Sequence, residues 1–211
     1  MARHVPRPRA DALRNRERIV GAAREMFVEF GPGVPLDDIA RRAGIGNATL
    51  YRHFADRTAL IHEVVLSVLS RTARLAEEAM GEEPDSFDAV RRFVHGAAEE
   101  RIGALCPLLS GAFDSGPPEL DAGRERLERA MVELIERAQA AGRMRTDVAL
   151  GDLMVALSQL SRPLPGTECL DMARFVHRHL QLFLDGLEAP ARSELPGRAA
   201  TIEDLRAPMT D

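Results

Sequence analysis

The stretch NATLYRHF, residues 47–54, places a tyrosine beside an arginine and a histidine, and that tyrosine is the only one in a 211-residue sequence without tryptophan. Tyr51 offers a hydroxyl, Arg52 and His53 add further donors, Thr49 lies on the same side, and Arg57 follows as a fixed positive charge. Donors of this kind, closely spaced, suit phosphate oxygens and base edges rather than bond-making chemistry. Leu50 and Phe54 are four residues apart and so share one face of a helix. A helix this short is not stable in isolation. The two apolar side chains must therefore be held from behind, which leaves the polar side facing outward.

No competing catalytic constellation is visible. His177 and His179 are two residues apart, hence on different helix faces, and make poor co-ligands for one metal. There is no GxSxG elbow, no P-loop and no dinucleotide-binding glycine pattern. Cys106 and Cys169 fit neither a disulfide framework nor a CxxC motif, and Cys106, followed by Pro107, has no activating base nearby in sequence. The acidic pairs Glu77–Glu78, Glu82–Glu83 and Glu99–Glu100 read as solvated helix faces. Neither an enzyme, nor a metal, nor a cofactor is implied. The candidates for lining a small-molecule cavity lie further along: Phe93, Arg101, Leu109, Phe113, Met131 and Met154, with Val94, Ala97, Leu105 and Leu134 beside them. Arg101 or His95, polar among apolar neighbours, would orient a ligand's polar group. Each apolar member is equally readable as ordinary core. With few aromatics available, a hydrophobic or weakly acidic small molecule suits this set better than a flat cation.

The elements that must position these residues are helical throughout. Apolar residues recur at three and four, and no segment sustains the period-two alternation of a strand, which predicts an all-α protein. A first helix is expected over residues 11–30, with Leu13, Ile19, Ala23, Met26, Phe27 and Phe30 inward and Arg14, Arg16, Arg18, Arg24 and Glu25 largely outside. Gly31–Gly33 ends it. Pro35 suits the first turn of a second short helix, PLDDIARRAG, with Asp37 and Asp38 at its positive end and Gly44 as its C-terminal cap. NATLYRHF is the third. A long amphipathic helix follows from Arg57, and about five more are separated by Gly and Pro breaks. Residues 148–161 and 171–187 are apolar on two sides. In the latter, Met172, Phe175, His179, Leu182 and Phe183 form one stripe, and Val176, Leu180, Leu184 and Leu187 another. Two apolar sides need two partners, so these helices are expected to face the core on one side and a second subunit on the other. Residues 189–211 read as a surface-draped or mobile tail with one helical turn near 201–205.

The charge is uneven. Residues 1–62 hold 11 Arg against 7 acids, or +4, and the rest 17 Arg against 26 acids, or −9, which together give the net −5. Positive charge thus collects around the candidate site, as a polyanion partner requires. At 45% hydrophobic and 29% charged the chain has enough apolar content for a core and is an ordinary globular composition. No run approaches the roughly 18 apolar residues of a membrane span, and MARHVPRPRAD lacks a signal-peptide core, so the expected location is the cytoplasm.

RERIVGAAREMFVEFG, then PLDDIARRAGIGNATLYRHFADRTALI, resembles the DNA-binding domain of the TetR family of bacterial transcription factors over residues 14–65. The resemblance implies an all-α homodimer whose N-terminal three-helix domain binds DNA and whose divergent C-terminal domain binds a small molecule and dimerises through its last two long helices. It makes residues 47–53 the recognition helix. Thr49, Tyr51 and His53 fall at the usual contact positions, Arg57 at the phosphate-binding basic position, and Asn47, Ala48 and Arg52 at positions that vary with the operator. Two residues depart from the pattern. Gly46 stands where Ser is common as the helix cap, leaving Asn47 as a substitute cap, and Pro35 stands where many members place a phosphate-touching Thr.

The domain layout is then a basic arm (1–10), a helix-turn-helix domain (11–56), a regulatory and dimerisation domain (57–188) and a tail (189–211). The partners implied are a double-stranded DNA operator, a small-molecule effector and a second copy of the chain, with no membrane. The reading from a different class is a helical lipid or metabolite carrier in which the N-terminal helices only brace the domain.

Overall fold

A computed structural model describes residues 8–102, 105, 117–161 and 173–206, with the side chains of 8–10, 173 and 206 left aside. Among these residues the structure is helical, no strand forms, and Met144 and Glu188 meet in an isolated antiparallel bridge. The chain divides into two compact units, residues 1–67 and 68–211. The division falls inside one continuous helix rather than at its start.

The first unit contains α1 (Pro8–Phe30), α2 (Leu36–Arg42), α3 (Asn47–His53) and the beginning of α4 (Arg57–Glu82). Ile19, Ala23, Met26 and Phe27 of α1, Ile39 and Ala40 of α2, Leu50 and Phe54 at α3, and Leu60, Ile61, Val64 and Val65 of α4 form its core. The chain ends α2 in a Schellman turn: Ile45 N–H reaches the Ala40 carbonyl at 3.0 Å and Gly44 N–H the Arg41 carbonyl at 3.1 Å, with Gly44 at φ +65°. Pro35 sits just before α2 rather than in its first turn.

Two expectations for α1 fail. Leu13 and Phe30 carry the right phase for the core yet are 62% and 65% exposed, because periodicity marks a face but not the length over which partners cover it. Phe30 instead lines an open groove of about 660 Å³ with Met26, Val34 and Pro35. Arg16 and Arg18, expected outside, turn back over neighbouring helix ends. Arg18 donates through Nη2 to the carbonyls of Ala43 at 2.5 Å and Gly44 at 3.2 Å.

The second unit comprises the rest of α4, α5 (Ser86–Glu99), α6 (Pro118–Ala140), α7 (Leu150–Leu160), α8 (Val176–Leu187, preceded by the 3-10 turn Ala173–Phe175) and the short α9 (Ile202–Arg206). α5 packs against α6, α7 and α8, burying Phe87, Val90, Phe93, Val94 and Ala97. Asp85 starts it by accepting from Asp88 N–H at 3.1 Å and Phe87 N–H at 2.8 Å, contacts that, with the Arg143 guanidinium, hold its carboxyl below the usual aspartate range.

The acidic pairs read as solvated are largely ion-paired between helices. Glu77 meets Arg126 of α6 at 2.7 Å, Glu100 meets Arg71 of α4 at 2.6 Å, and Glu82 and Glu83 meet Arg92 of α5 at 2.5 and 3.0 Å. Exposed pairs of this kind are worth little in stability. Their contribution is to register.

Of the tail, residues 189–206 are described: the helical turn is in place as α9, and main-chain groups of this segment are held by side chains of the preceding elements. Arg145, only 7% exposed, binds Asp147 at 2.6 and 2.8 Å and donates to the carbonyls of Gly186 at 3.2 Å and Ser193 at 2.8 Å. Asp152 accepts from Ala149 N–H at 2.9 Å and Ala200 N–H at 3.2 Å, and so ties the start of α7 to the tail. Gly151 lets that backbone approach: a Cβ there would lie 2.4 Å from the Ala200 carbonyl oxygen. Gly151→Ala should lower stability by about 1–3 kcal/mol despite alanine's better helix propensity. Limited trypsin digestion should then cut at Arg192 and Arg198 faster than in the parent; an equally protected tail would show that this approach is not what fastens it.

Candidate nucleic-acid interface

α3 is built from behind, as its sequence requires. Leu50 is 1% exposed and Phe54 2%, and both enter the core formed by α1, α2 and α4. The side chains between them point away. Tyr51 is 51% exposed, Asn47, Ala48 and Arg52 are exposed, and Thr49 and His53 are half-buried. Arg52 Nη2 donates to Thr49 Oγ1 at 3.2 Å, which lays the guanidinium along the same outer surface.

Gly46 serves as N-cap in an extended conformation, and the first turn has no side-chain cap. Asn47 is therefore the first helical residue and not the substitute cap, because the helix already begins at the position a cap would have to precede. Its side chain stays with the exposed set. Arg57, half-buried at the first turn of α4, spends Nη1 on the carbonyls of Pro32 at 2.8 Å and Val34 at 2.6 Å, pinning the α1–α2 loop. Asp56 caps the same helix by accepting from Ala59 N–H at 2.8 Å.

Sequence reasoning missed Arg16. Its Nε and Nη2 bind the two oxygens of Glu63 at 3.2 and 2.7 Å, its Nη1 donates to the His53 carbonyl at 3.2 Å, and its plane lies 4.6 Å from the centre of the Phe54 ring. The signal was present in the register. Position 16 lies three before Ile19 and seven before Ala23, on the inward stripe, where an arginine needs partners.

The candidate cavity residues are less concentrated. Phe93 and Met131 are buried at 0% and 3% exposure, and Met154 is half-buried on α7. Arg101 is exposed and holds the left-handed conformation, φ +54°, just past the end of α5. Leu109 and Phe113 lie outside the described residues, as do Met172 and both cysteines. His95 has a definite partner in His177: their Nδ1 atoms are 2.9 Å apart and the ring centroids 5.1 Å apart. The ring planes are inclined by 29°, and which Nδ1 donates depends on the tautomers of the two rings. Gln181 Oε1 faces His95 Nε2 at 3.3 Å. Among the described residues no group of three or more His, Cys, Asp or Glu gathers into a metal site.

Two short helices packed together across a glycine turn, the second with an anchored inner face and a donor-rich outer face, make this a helix-turn-helix DNA-binding protein. Residues 19–64 match the model for bacterial regulatory proteins of the tetR family, and residues 86–189 that for the C-terminal domain of SbtR-like transcriptional regulators. The chain belongs to the TetR family of transcriptional regulators, which are not enzymes.

The TetR transcriptional regulator SCO0520 from Streptomyces coelicolor is 30% identical, with 83% of this chain and 99% of that one covered and a TM-score of 0.62. The TetR transcription regulatory protein from Mycobacterium vanbaalenii is 29% identical over 86% of this chain and 99% of its own, with a TM-score of 0.60. The HTH-type transcriptional regulator SAB2452 of Staphylococcus aureus (strain bovine RF122 / ET3-1) is 43% identical over 58 residues, which is 27% of this chain and only 31% of that relative's length. Among the described residues no helix is long and apolar enough to cross a membrane.

Because Leu50 alone occupies the centre of α3's inner face, Leu50→Ala should destabilise the first unit by about 2–5 kcal/mol. Urea unfolding followed through Tyr51 fluorescence measures this unit directly, since the chain has no other tyrosine and no tryptophan. An unchanged midpoint would mean that α3 is held by something other than this side chain.

Proposed function

We propose that the chain acts in the cytoplasm as a homodimeric repressor that binds a palindromic DNA operator and is released by a small-molecule effector. The observation that carries this reading is the division of α3: Leu50 and Phe54 fixed in the core, and Asn47, Ala48, Thr49, Tyr51, Arg52 and His53 left at or near the surface. Tyr51 and His53 donate to phosphate, Asn47 and Arg52 read base edges, and Arg57 combines a phosphate contact with its hold on the α1–α2 loop.

Dimerisation is supported by the two stripes of α8. Leu180, Leu184 and Leu187 are buried, whereas Phe175 and Leu182 remain 46% and 60% exposed, and Val155 of α7 is 45% exposed. Apolar side chains grouped in this way mark an interaction surface. A two-fold pair of chains would set the recognition helices about 34–36 Å apart, one turn of duplex. The effector would occupy the second unit, near Phe93, Arg101, Met131 and Met154, and would act by shifting α4. Coupling energies of about 1–3 kcal/mol, or roughly 5–150-fold in operator affinity, are usual for such devices.

The test is titration of labelled DNA from beside the chain's own gene at two salt concentrations. Tight, sequence-dependent and steeply salt-dependent binding is expected; its absence from every upstream fragment would overturn the reading. Tyr51→Phe and Arg57→Ala should weaken binding across all sequences, while Asn47→Ala and Arg52→Ala should change which bases are preferred. Independently, Leu182→Glu should convert the dimer to a monomer in light scattering with the helical content retained. If that variant stays dimeric, the interface lies elsewhere.

A further inference from the structure

We propose that Arg16 of α1 is a positioning residue for operator binding: it fixes the C-terminal end of the recognition helix to α4 without touching DNA. This rests on the reading of α3 as the DNA-reading helix and extends it to a residue that lies outside that helix.

The geometry engages three of the five guanidinium N–H donors, one from each nitrogen. The Nε–Nη2 edge forms a fork on the Glu63 carboxylate at 3.2 and 2.7 Å, which leaves the other edge to donate through Nη1 to the His53 carbonyl at 3.2 Å. The Arg16 Cζ lies over the Phe54 ring, 4.6 Å from its centroid. One planar group therefore joins three helices: α1, which carries it, α4, which carries Glu63, and the last residue of α3.

The His53 carbonyl is one of the terminal acceptors that a helix cannot satisfy internally, so its hydrogen bond to Arg16 decides how the last turn of α3 is directed. Lysine could not reproduce this. Its ammonium is a point donor, without the fork that fits a carboxylate or the plane that stacks on a ring. The Coulomb part of the contact is modest, since the two side chains are 37% and 32% exposed. What the contact supplies is direction. α3 turns its donors toward DNA at the angle at which the Arg16 plane holds its end.

Glu63 gives the arrangement a second property. It lies on α4, which continues from the first unit into the second. Any displacement of α4 at Glu63 is passed through the fork to the His53 carbonyl rather than only through the apolar contacts of Leu50 and Phe54. With its charge matched by Glu63 and three of its five N–H donors engaged inside the protein, Arg16 is assigned no phosphate contact, and that separates its role from those of Tyr51 and Arg57.

The experiment compares the full chain with Arg16→Gln, Arg16→Lys and Glu63→Gln. Tyr51 is the only tyrosine and there is no tryptophan, so intrinsic fluorescence reports the recognition helix alone. Well below the unfolding temperature, Arg16→Gln should lower Tyr51 anisotropy and raise its quenching by acrylamide, with Arg16→Lys in between.

Operator affinity should fall about 10- to 100-fold, the range for loss of a hydrogen bond to a charged group. The slope of affinity against salt should stay that of the parent, because no phosphate contact is lost. Unchanged Tyr51 anisotropy with unchanged affinity would overturn the proposal. So would a loss of affinity accompanied by a salt slope reduced by about one and an unaltered Tyr51, which would make Arg16 a phosphate ligand. Should Arg16→Gln fail to fold, Glu63→Gln, which keeps the shape of the partner and removes its charge, decides by the same readouts. A parent that binds no operator defeats the proposed function, while the Tyr51 comparison still decides the part played by Arg16.

Discussion

Seven residues of helix cannot hold their own shape in water, and everything about this DNA-reading surface follows from that constraint. The direction of α3 is a property of its surroundings: Leu50 and Phe54 sunk into α1, α2 and α4, the Gly44 turn before it and the Arg16 contact after it. Because both apolar anchors fall on one face, the other is left to Asn47, Thr49, Tyr51, Arg52 and His53, side chains with donors, and to the small Ala48. A longer helix would be less dependent on its neighbours, but it would also be less responsive to them. The shortness of α3 makes its orientation adjustable by whatever moves α4.

Arginine recurs in this unit as a fastener of helix ends. Arg18 closes over the carbonyls that terminate α2, Arg16 over the one that terminates α3, and Arg57 over two carbonyls in the loop after α1. Each of these carbonyls lies where no intrahelical partner is available, and a side chain with five donors in a fixed plane satisfies them while keeping its stem along apolar surface. The positive charge of residues 1–62 therefore serves two ends. Part of it faces outward toward a polyanion, and part is consumed in holding the outward part still.

Much of this was legible in the sequence because it depends on local rules. Pro35, Gly44 and the four-residue spacing of Leu50 and Phe54 fix the helix-turn-helix without reference to anything distant, and of the two stripes of 171–187 one buries Leu180, Leu184 and Leu187 while the other leaves Phe175, His179 and Leu182 exposed, with Val176 and Phe183 half-buried. What was not legible depends on where neighbours end or on partners far along the chain. Leu13 and Phe30 keep the phase of the core but extend beyond its cover. Arg16 finds Glu63 forty-seven residues away, and His95 finds His177 at eighty-two, distances at which periodicity carries no information. The tail reads as polar and Pro-rich, and only the coordinates reveal that Arg145 and Asp152 pin it through main-chain groups, which any sequence presents alike.

The pinned tail bears on the second unit's exposed face in a way that composition conceals. Gly151 and Val155 are one helical turn apart and so share a side of α7; the tail backbone lies against the first, and the second is left 45% exposed. The segment around Ala200 therefore covers the first turn of α7 at Gly151, while Val155, one turn on, stays open. Fastening that segment with a buried arginine and a helix-capping aspartate costs conformational freedom that a loose tail would keep.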